Sequence, residues 1–278
     1  MFDLTGKVAL VTGGNGGIGL GFAEGLAEHG AGVCIWGTNE DKNAAARETL
    51  EQYGGRVAAL RCDVSDEIQV VDAFSETLAI FGNVDSCFAN AGVGGGGAQF
   101  DAMTIEDWHR VFKVNMDGVM FTFREAVKHM RKSGRGGSLV VTSSGTARFG
   151  AAGSEHYSAT KAGVIALIQS LAVGQARYGI RANAIIPGWI ETAMTERAFQ
   201  TEAFQTRVIK RIPQRRWGQP EDFKGIAVYF ASDESSYHTG DTIAIDGGAF
   251  RTSSGQLGHQ SDCGEELPQF GVVSGGPA

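Results

Sequence analysis

A tyrosine and a lysine that could move a proton together lie four residues apart, at Tyr157 and Lys161. In a helix, that spacing places both side chains on one face. A free tyrosine has a pKa of roughly 10, too high for a base at neutral pH. A neighbouring lysine ammonium favours the phenolate and is expected to lower that pKa. Exposed helical Tyr/Lys pairs are common, so the spacing by itself does not establish a site.

Two further polar residues strengthen the pattern. Ser144 ends a predicted strand, where its hydroxyl could hold a carbonyl oxygen while Tyr157 delivers or removes a proton. Asn115 lies within the sequence FKVNMDG, in a predicted helix, where an amide is an unusual core choice. By propensity alone, a partly exposed helical asparagine is an equal interpretation of Asn115.

A glycine-rich segment, TGGNGGIG, joins the first predicted strand to the first predicted helix over residues 12–19. Backbone without Cβ atoms lets phosphates approach the free N–H groups and partial positive charge of a helix N-terminus. Gly14, Gly16 and Gly19 satisfy the GxGxxG pattern, which is nearly unavoidable in so glycine-rich a segment. A tight turn without a ligand is the alternative, but the order strand, loop, helix favours a dinucleotide site.

The end of the second predicted strand bears on which dinucleotide is bound. Sites that prefer NAD usually carry Asp or Glu there, against the ribose hydroxyls. Here the strand ends in Gly37, Thr38 and Asn39, and Glu40 and Asp41 come later, where they are expected to open the next helix. The missing carboxylate favours NADP(H) over NAD(H), and Thr38 and Asn39 could donate to a 2′-phosphate. No Arg or Lys stands at this tip to neutralise the phosphate charge, so NAD(H) stays open.

Length and composition limit the classes of protein to which this chain can belong. The chain has 278 residues, 42% of them hydrophobic and 20% charged, which suits one α/β domain with a substantial core. A net charge of −7 gives no basic face for nucleic acid. Four cysteines lack metal-ligand spacing, so we expect buried thiols and no metal site. Neither a signal peptide nor a membrane-length apolar run occurs, and we expect a cytoplasmic location without membrane association.

Short apolar runs alternate with helical patterns along most of the chain. The pattern predicts a single doubly wound Rossmann domain, a seven-stranded parallel sheet with helices on both faces. The predicted strands are Lys7–Thr12, Gly32–Trp36, Arg56–Asp63, Val84–Gly92, Ser138–Ser144, Ile180–Gly188 and Thr242–Gly248. The predicted helices are Gly17–His29, Asp41–Tyr53, Asp66–Phe81, Thr104–Lys132 and Ser154–Tyr178. Ligands bind beyond the carboxyl ends of such strands, so functional residues are sought there.

Two segments depart from this alternation. Residues 189–213 lack a strand pattern and are interpreted as a helical flap over the site. The Gly/Ser-rich segment 251–278 would be called disordered by composition, although several apolar residues could anchor it on its own or a neighbouring subunit. We expect a domain over residues 1–250 that includes the flap, followed by a C-terminal extension over 251–278.

Several motifs, taken together and in order, resemble the short-chain dehydrogenase/reductase family over about residues 4–248. They are TGGNGGIG, NAG at Asn90–Gly92, YSATK at Tyr157–Lys161, PG at Pro187–Gly188 and IDGG at Ile245–Gly248. The family resemblance implies NAD(P)(H)-dependent hydride transfer between an alcohol and a carbonyl group, with Tyr157 as acid/base. It also implies a homotetramer, or a homodimer, formed through the two long helices. Rival functions are a non-catalytic dinucleotide-binding or redox-sensing subunit, and epimerase or dehydratase chemistry on the same fold.

The resemblance also assigns residues to roles. It implies that Asn115, Ser144, Tyr157 and Lys161 form a catalytic tetrad, in which Lys161 also binds the nicotinamide ribose and Asn115 holds a water. Asp63 and Val64 would contact the adenine, and Ile190 and Thr192 the carboxamide. The full set of expected cofactor residues is Gly13, Asn15, Gly16, Gly17, Ile18, Gly19, Thr38, Asp63, Val64, Asn90, Ala91, Gly92, Tyr157, Lys161, Pro187, Gly188, Ile190 and Thr192.

The substrate is the least determined part of the site. We expect contacts from Ser144, Thr146, Tyr157, Trp189 and Met194, with an alcohol or carbonyl compound as the small-molecule partner. Further candidates are Gly94–Gly97, Gly145, Phe149, Glu155, His156 and Phe199. The flap aromatics could equally pack under their own helix. Glu155 and His156 are expected at the surface, because adjacent helical positions do not share the face of Tyr157.

Overall fold

The computed structural model describes residues 2–95, 99–196 and 201–252. Its seven strands are β1 (Val8–Thr12), β2 (Gly32–Gly37), β3 (Val57–Arg61), β4 (Ser86–Ala89), β5 (Gly137–Thr142), β6 (Ile180–Pro187) and β7 (Thr242–Ile245). They form one sheet in the order β3-β2-β1-β4-β5-β6-β7, and every neighbouring pair is parallel. The predicted fold class is confirmed.

The helices fill the connections between strands. They are α1 (Gly17–Glu28), α2 (Glu40–Glu51), α3 (Glu67–Phe81), α4 (Ile105–Phe112), α5 (Gly118–Ser133), α6 (Thr146–Phe149), α7 (Glu155–Gln175), α8 (Glu202–Arg211), α9 (Lys224–Ala231) and α10 (Ala249–Thr252). Short 3₁₀ turns lie at Phe100–Ala102, Ala176–Tyr178, Pro220–Phe223 and Asp233–Ser235. The predicted helix Thr104–Lys132 is α4 and α5, joined by a π-helical turn at Lys113–Asp117.

Both faces of the sheet are buried, as the continuous apolar strands predict. Along β1, Leu10 packs into the core on one face, which includes Cys34 and Trp36, while Ala9 and Val11 pack into the core on the other. Successive strand residues point to opposite faces, so a strand covered on both sides must be apolar throughout. The sheet is therefore sandwiched between two helical layers, and its carboxyl edge is left for ligands.

The strand order reverses between β1 and β4, which lie side by side although two strands and three helices separate them along the chain. In open parallel sheets, the crevice beyond such a switch point is where ligands bind. The loops after β1, β4 and β5 all open at this place. They carry the glycine segment, Asn90–Gly92 and Ser144, respectively.

Within the predicted flap, residues 202–211 form α8, whose residue Val208 packs with Ile212 and Trp217 in a small separate core, whereas residues 189–195 are not helical. Phe199, Gly96 and Gly97 lie outside the described residues. So does most of the 251–278 extension, of which only the first two residues, at the end of α10, are described. Among the described helices, none is long and apolar enough to cross a membrane.

Candidate active site

Side-chain hydrogen bonds tie the carboxyl ends of β1, β4 and β5 together. The Thr12 hydroxyl accepts from the backbone N–H groups of Asn90 and Ala91, both at 3.0 Å. The Asn90 amide donates to the Gly13 carbonyl at 3.2 Å and accepts from the Thr142 hydroxyl at 3.0 Å. The predicted cofactor residues Asn90 and Ala91 thus brace the glycine loop against the central strands.

Ser144, Tyr157 and Lys161 come together at the end of β5. The Ser144 side chain lies beside Tyr157 and acts to lower the pKa of its phenol, and the Lys161 Nζ lies 5.6 Å from the Tyr157 ring centroid. The buried Lys161 ammonium donates to the Thr142 carbonyl at 2.8 Å, and the Ser143 hydroxyl donates to the Lys161 carbonyl at 2.7 Å. Helix α7 is therefore bonded directly to the strand that carries Ser144.

The protonation of these groups differs from the sequence expectation. Burial raises the pKa of Tyr157 above its usual value, and the Ser144 side chain partly offsets that rise. Burial also lowers the pKa of Lys161 to about 8. The expected lowering of the tyrosine pKa by Lys161 is wrong for the protein alone, because desolvation of the phenol is the largest effect. At pH 7 the pair is a neutral phenol beside an ammonium group, which can donate a proton to an oxygen.

Asn115 is fully buried in the π-helical turn, so the partly exposed alternative is wrong. Its amide donates to the Val93 carbonyl at 3.0 Å and accepts from the Val93 N–H at 2.8 Å, and it also approaches the Thr160 hydroxyl at 3.3 Å. A π turn inserts one residue and re-aims the side chains around it, often at functional sites. A Cβ on Gly92 would lie 3.2 Å from the Asn115 Oδ1 and 3.4 Å from the Lys161 Nζ, so the loop passes close to both.

The glycine loop fits a pyrophosphate. Helix α1 has no side-chain cap on its N-terminal N–H groups, whereas Asn39, Asp66 and Thr104 cap α2, α3 and α4. A Cβ on Gly19 would lie 2.1 Å from the Gly13 carbonyl oxygen, so this glycine is required by packing. A Cβ on Gly16 would meet nothing within 4 Å, which leaves open space beside the uncapped N–H groups.

The rest of this loop is held by its neighbours. The Asn15 amide donates to the Asn43 side chain at 2.7 Å, and both side chains lie over Gly37. Gly17 has a left-handed backbone with φ of 51° and follows the open position, while Ile18 packs on the core below the loop. The predicted residues Asn15, Gly17 and Ile18 therefore shape the loop through the protein's own contacts.

At the adenosine end, Thr38 is exposed directly after β2, and Asn39 accepts from the Lys42 N–H at 2.8 Å to cap α2. Asp63 accepts from the N–H and hydroxyl of Ser65, and Val64 is buried against Gly118. The structure also brings in Arg61, at the end of β3, which is the register partner of Gly37. Sequence reasoning missed this cation because only strand pairing sets it beside the tip of β2.

The segment after β6 packs against the same loop. Gly188 lies against Asp246, where a Cβ would come within 2.7 Å of the backbone, and its N–H donates to the Ile245 carbonyl. Ile190 is buried and forms a bridge to Gly218. The Thr192 methyl group would contact a Cβ on Gly17 at 3.1 Å. Pro187, Gly188, Ile190 and Thr192 thus form one wall that continues from the end of β6 to the glycine loop.

The predicted substrate residues lie in different environments. The Thr146 N–H donates to the Ser144 hydroxyl at 3.3 Å, and Met194 is exposed. Trp189 makes edge-to-face contacts with Phe204 and Trp217 at 5.5 and 5.6 Å, so it packs within the flap core, as the alternative interpretation has it. Phe250 of α10, which the sequence analysis did not predict, covers Gly145 and makes a tilted ring contact with Phe149 at 5.5 Å.

The expected surface position of His156 is wrong. Its side chain is fully buried, and its Nε2 lies 3.0 Å from the Asp107 carboxylate of α4. Glu155 is half-buried and accepts from the Gly153 N–H at 3.1 Å. The reason is that α4 packs against α7 at His156, so a position off the Tyr157 face is not exposed there.

Comparisons with known proteins agree with this architecture. The family profile described as enoyl-(acyl carrier protein) reductase matches residues 13–249. A 3-oxoacyl-[acyl-carrier-protein] reductase of Chlamydia pneumoniae is 39% identical over 88% of this chain and 97% of its own length. An L-rhamnose 1-dehydrogenase (NAD(P)(+)) of a Sphingomonas species is 38% identical over 89% of this chain and 97% of its own.

A solved structure extends the comparison to three dimensions. A gluconate 5-dehydrogenase from Burkholderia cenocepacia, crystallised with NADP and tartrate, superimposes with a TM-score of 0.85 at 35% identity. The match covers 90% of this chain and 97% of the other. With the sheet order and the ordered motifs, these matches assign the protein to a family of NAD(P)-dependent enzymes that interconvert alcohols and carbonyls. The chain belongs to the short-chain dehydrogenase/reductase family.

Proposed function

We propose that this enzyme is an NADP(H)-dependent oxidoreductase of a polyhydroxylated small molecule, in which Tyr157 transfers the proton at the reacting oxygen. The observation that carries the proposal is that the Ser144 side chain and the Lys161 ammonium both lie beside Tyr157. A bound nicotinamide would supply or accept the hydride. The protein's own residues then have to hold one oxygen atom and move one proton.

In the reduction direction, the Ser144 hydroxyl donates to the carbonyl oxygen and the Tyr157 phenol gives that oxygen its proton. Lys161 stabilises the phenolate left behind, since its ammonium group is within a few ångströms of the ring. Asn115 fixes the Val93 backbone beside Lys161 and is proposed to hold a water that links Lys161 to solvent. General acid/base catalysis of this kind contributes about 10²- to 10⁴-fold.

We propose the loop and wall residues described above as the cofactor site, within a domain over residues 1–250. A preference for NADP(H) is supported at the adenosine end by three features: no carboxylate at the tip of β2, an exposed Thr38, and Arg61 across from Gly37. Arg61 also lies 3.9 Å from Glu40, an exposed pair that a phosphate could replace at little cost.

The polar lining of the site supports a hydroxyl-rich substrate. Thr146, whose N–H donates to the Ser144 hydroxyl, has a buried Oγ1 without a hydrogen-bond partner in the described chain. Buried polar atoms usually have partners, so a ligand hydroxyl group beside Ser144 would complete this one. The relatives named for L-rhamnose and gluconate agree with this class.

A homotetramer or homodimer through α5 and α7 is supported by the apolar surface of these helices. A groove of about 580 Å³ is lined by Met120, Phe123, Val127, Leu167 and Leu171, and Val173 nearby is 85% exposed. We also propose a cytoplasmic location, in keeping with Cys34, Cys62 and Cys87, which are free and buried.

The test is a panel of sugars, sugar acids, polyols, simple ketones and an acyl thioester, assayed with both NADPH/NADP⁺ and NADH/NAD⁺. Turnover confined to hydroxylated compounds with NADP(H) is expected. Preference for the thioester, or equal use of both cofactors, would contradict the substrate or cofactor proposal. Conversion of substrate without net change in cofactor would favour epimerase or dehydratase chemistry instead.

The role of Tyr157 is tested with Tyr157→Phe. Turnover should fall by about 10²-fold or more while NADPH binding stays nearly unchanged, because only the proton-transferring hydroxyl is removed. Tyr237→Phe is the matched control, since Tyr237 is fully exposed. Full activity in Tyr157→Phe would refute the assignment.

A further inference from the structure

Helix α7 begins without a side-chain cap although it carries Tyr157 in its first turn. The N-cap residue, Ser154, makes no side-chain hydrogen bond to the helix. Uncapped first turns leave N–H groups unsatisfied and tend to fray. Proton transfer, in contrast, requires the phenol to stay within hydrogen-bonding distance of the reacting oxygen. Something other than a cap must therefore hold this turn.

His156 is the residue placed to do so. It adjoins Tyr157, its side chain is fully buried, and its ring nitrogen Nε2 lies 3.0 Å from the Asp107 Oδ2 of α4. Burial tends to raise the pKa of Asp107, but the hydrogen bonds from Arg110 and His156 outweigh it and lower that pKa. Asp107 is thus a carboxylate at neutral pH, a strong acceptor for the imidazole N–H.

The same carboxylate extends the network to the loop between β4 and α4. Arg110 donates to the Asp107 Oδ1 from two nitrogens, at 2.7 and 3.0 Å, and donates to the Gly94 carbonyl at 3.2 Å. The next residue, Gly95, packs on the imidazole itself, because a Cβ there would lie 2.6 Å from the His156 Cε1. The contacts close a ring that runs from Gly94 through Arg110, Asp107 and His156 back to Gly95.

We propose that Asp107, His156 and Arg110 form a positioning network that fixes the first turn of α7, and with it Tyr157, against α4 and the Gly94–Gly95 loop. None of the three touches the reacting atoms in this scheme. They act by holding the Tyr157 backbone and the loop whose Gly92 passes beside Lys161. The catalytic consequence rests on the proposed role of Tyr157, whereas the structural consequence does not.

The test compares His156→Leu, which removes the donor, with His156→Gln, whose amide nitrogen can replace Nε2 against Asp107. Arg110→Met, at a half-exposed position, removes the bonds from Arg110 to Asp107 and to Gly94 but leaves the contact between His156 and Asp107 in place. His129→Leu is the matched control, because His129, near the C-terminal end of α5, makes a similar contact of 2.7 Å to Asn83, which is not part of this network. Each variant is assayed on the best substrate of the panel, and its NADPH affinity and thermal midpoint are measured.

In His156→Leu, kcat should fall about 10- to 100-fold, the range expected when a catalytic group is misplaced by about an ångström. NADPH affinity should change little. His156→Gln should recover most of kcat, and Arg110→Met should lose less than His156→Leu. A loss equal in the Leu and Gln variants, or a loss matched by His129→Leu, would overturn the proposal, because simple destabilisation predicts it.

A readout that needs no substrate separates this proposal from the proposed function. Hydrogen–deuterium exchange of the backbone amides of residues 157–160 should speed up about tenfold or more in His156→Leu and not in His129→Leu. Arg110→Met should show a smaller increase, which keeps the test available if His156→Leu does not fold. Unchanged exchange in His156→Leu, or in Arg110→Met in its place, would refute the network even if the enzyme proved inactive on every compound.

Discussion

The burial of Lys161 should be measurable as a pH dependence of stability in the protein without cofactor. Its side chain is 5% exposed, and burial lowers its pKa from 10.5 to about 8. Each pH unit of pKa change corresponds to about 1.4 kcal/mol, so the full effect is about 3 kcal/mol. Lys161→Met removes the titrating group and serves as the reference.

The sign follows from proton binding. Between about pH 8 and 10.5, the unfolded chain keeps the Lys161 proton and the folded protein has lost it. Stability therefore rises with pH over this interval, and below pH 8 the charged lysine destabilises the fold by a constant amount. From pH 7 to 9.5, the wild type should gain about 2 kcal/mol relative to Lys161→Met. Any constant loss from the missing hydrogen bond to Thr142 cancels in this comparison.

The assay is urea unfolding at pH 7, 8, 9 and 9.5, at one protein concentration and without nucleotide, because ligand and subunit binding both shift stability. Lys132→Met, at an exposed position at the end of α5, is the control and should follow the wild type at every pH. A stability difference between wild type and Lys161→Met that stays constant across this range would show that Lys161 is not a desolvated ammonium. The assignment of a buried charge next to Tyr157 would then be wrong.

Three further predictions follow from the same geometry. Gly19→Ala should destabilise the fold by about 1–3 kcal/mol, since its Cβ would meet a backbone oxygen. Gly16→Ala should stay within about 0.5 kcal/mol of the wild type in stability yet weaken NADPH binding. Equal effects of the two variants in urea unfolding and in fluorescence titration of NADPH would contradict the proposed pyrophosphate site at this loop. Arg61→Ala should raise KM for NADPH about tenfold and leave KM for NADH unchanged. A parallel rise in both KM values would contradict the proposed contact between Arg61 and the 2′-phosphate. The rate of carbonyl reduction should decline as pH rises through about 8, because Lys161 loses its charge there, and a rate profile flat from pH 7 to 9.5 would disagree.

Much of the fold could be read from periodicity. Strands buried on both faces must be apolar at every position. Runs such as Leu139–Val141 therefore predict such strands without reference to the rest of the chain. The strand-end rule then picked out Ser144 and Asn90–Gly92, because parallel strands deliver their carboxyl ends to one edge. The strands, and the positions of these residues just beyond the ends of β4 and β5, are confirmed, since both depend on local pattern and on a general property of the sheet.

The site also contains what sequence alone could not supply. Arg61 is brought beside Gly37 only through strand register, and Phe250 covers Gly145 only because the last helix lies against the loop after β5. The amide of Asn115 is buried in a π turn, which helix propensities do not predict. Each depends on contacts between residues far apart along the chain.

His156 and Tyr157 illustrate the difference between what the sequence determines and what the tertiary structure determines. The sequence by itself determined that Tyr157 and Lys161 share a helical face and that Ser144 lies just beyond the carboxyl end of a strand, because 3.6-residue and two-residue periods are local properties of the backbone. Which side of α7 meets solvent, and how strongly the phenol and the ammonium are desolvated, depends on what packs against that helix. Only the tertiary structure decided those points, since burial and pKa are set by the surrounding atoms and not by the neighbours in sequence.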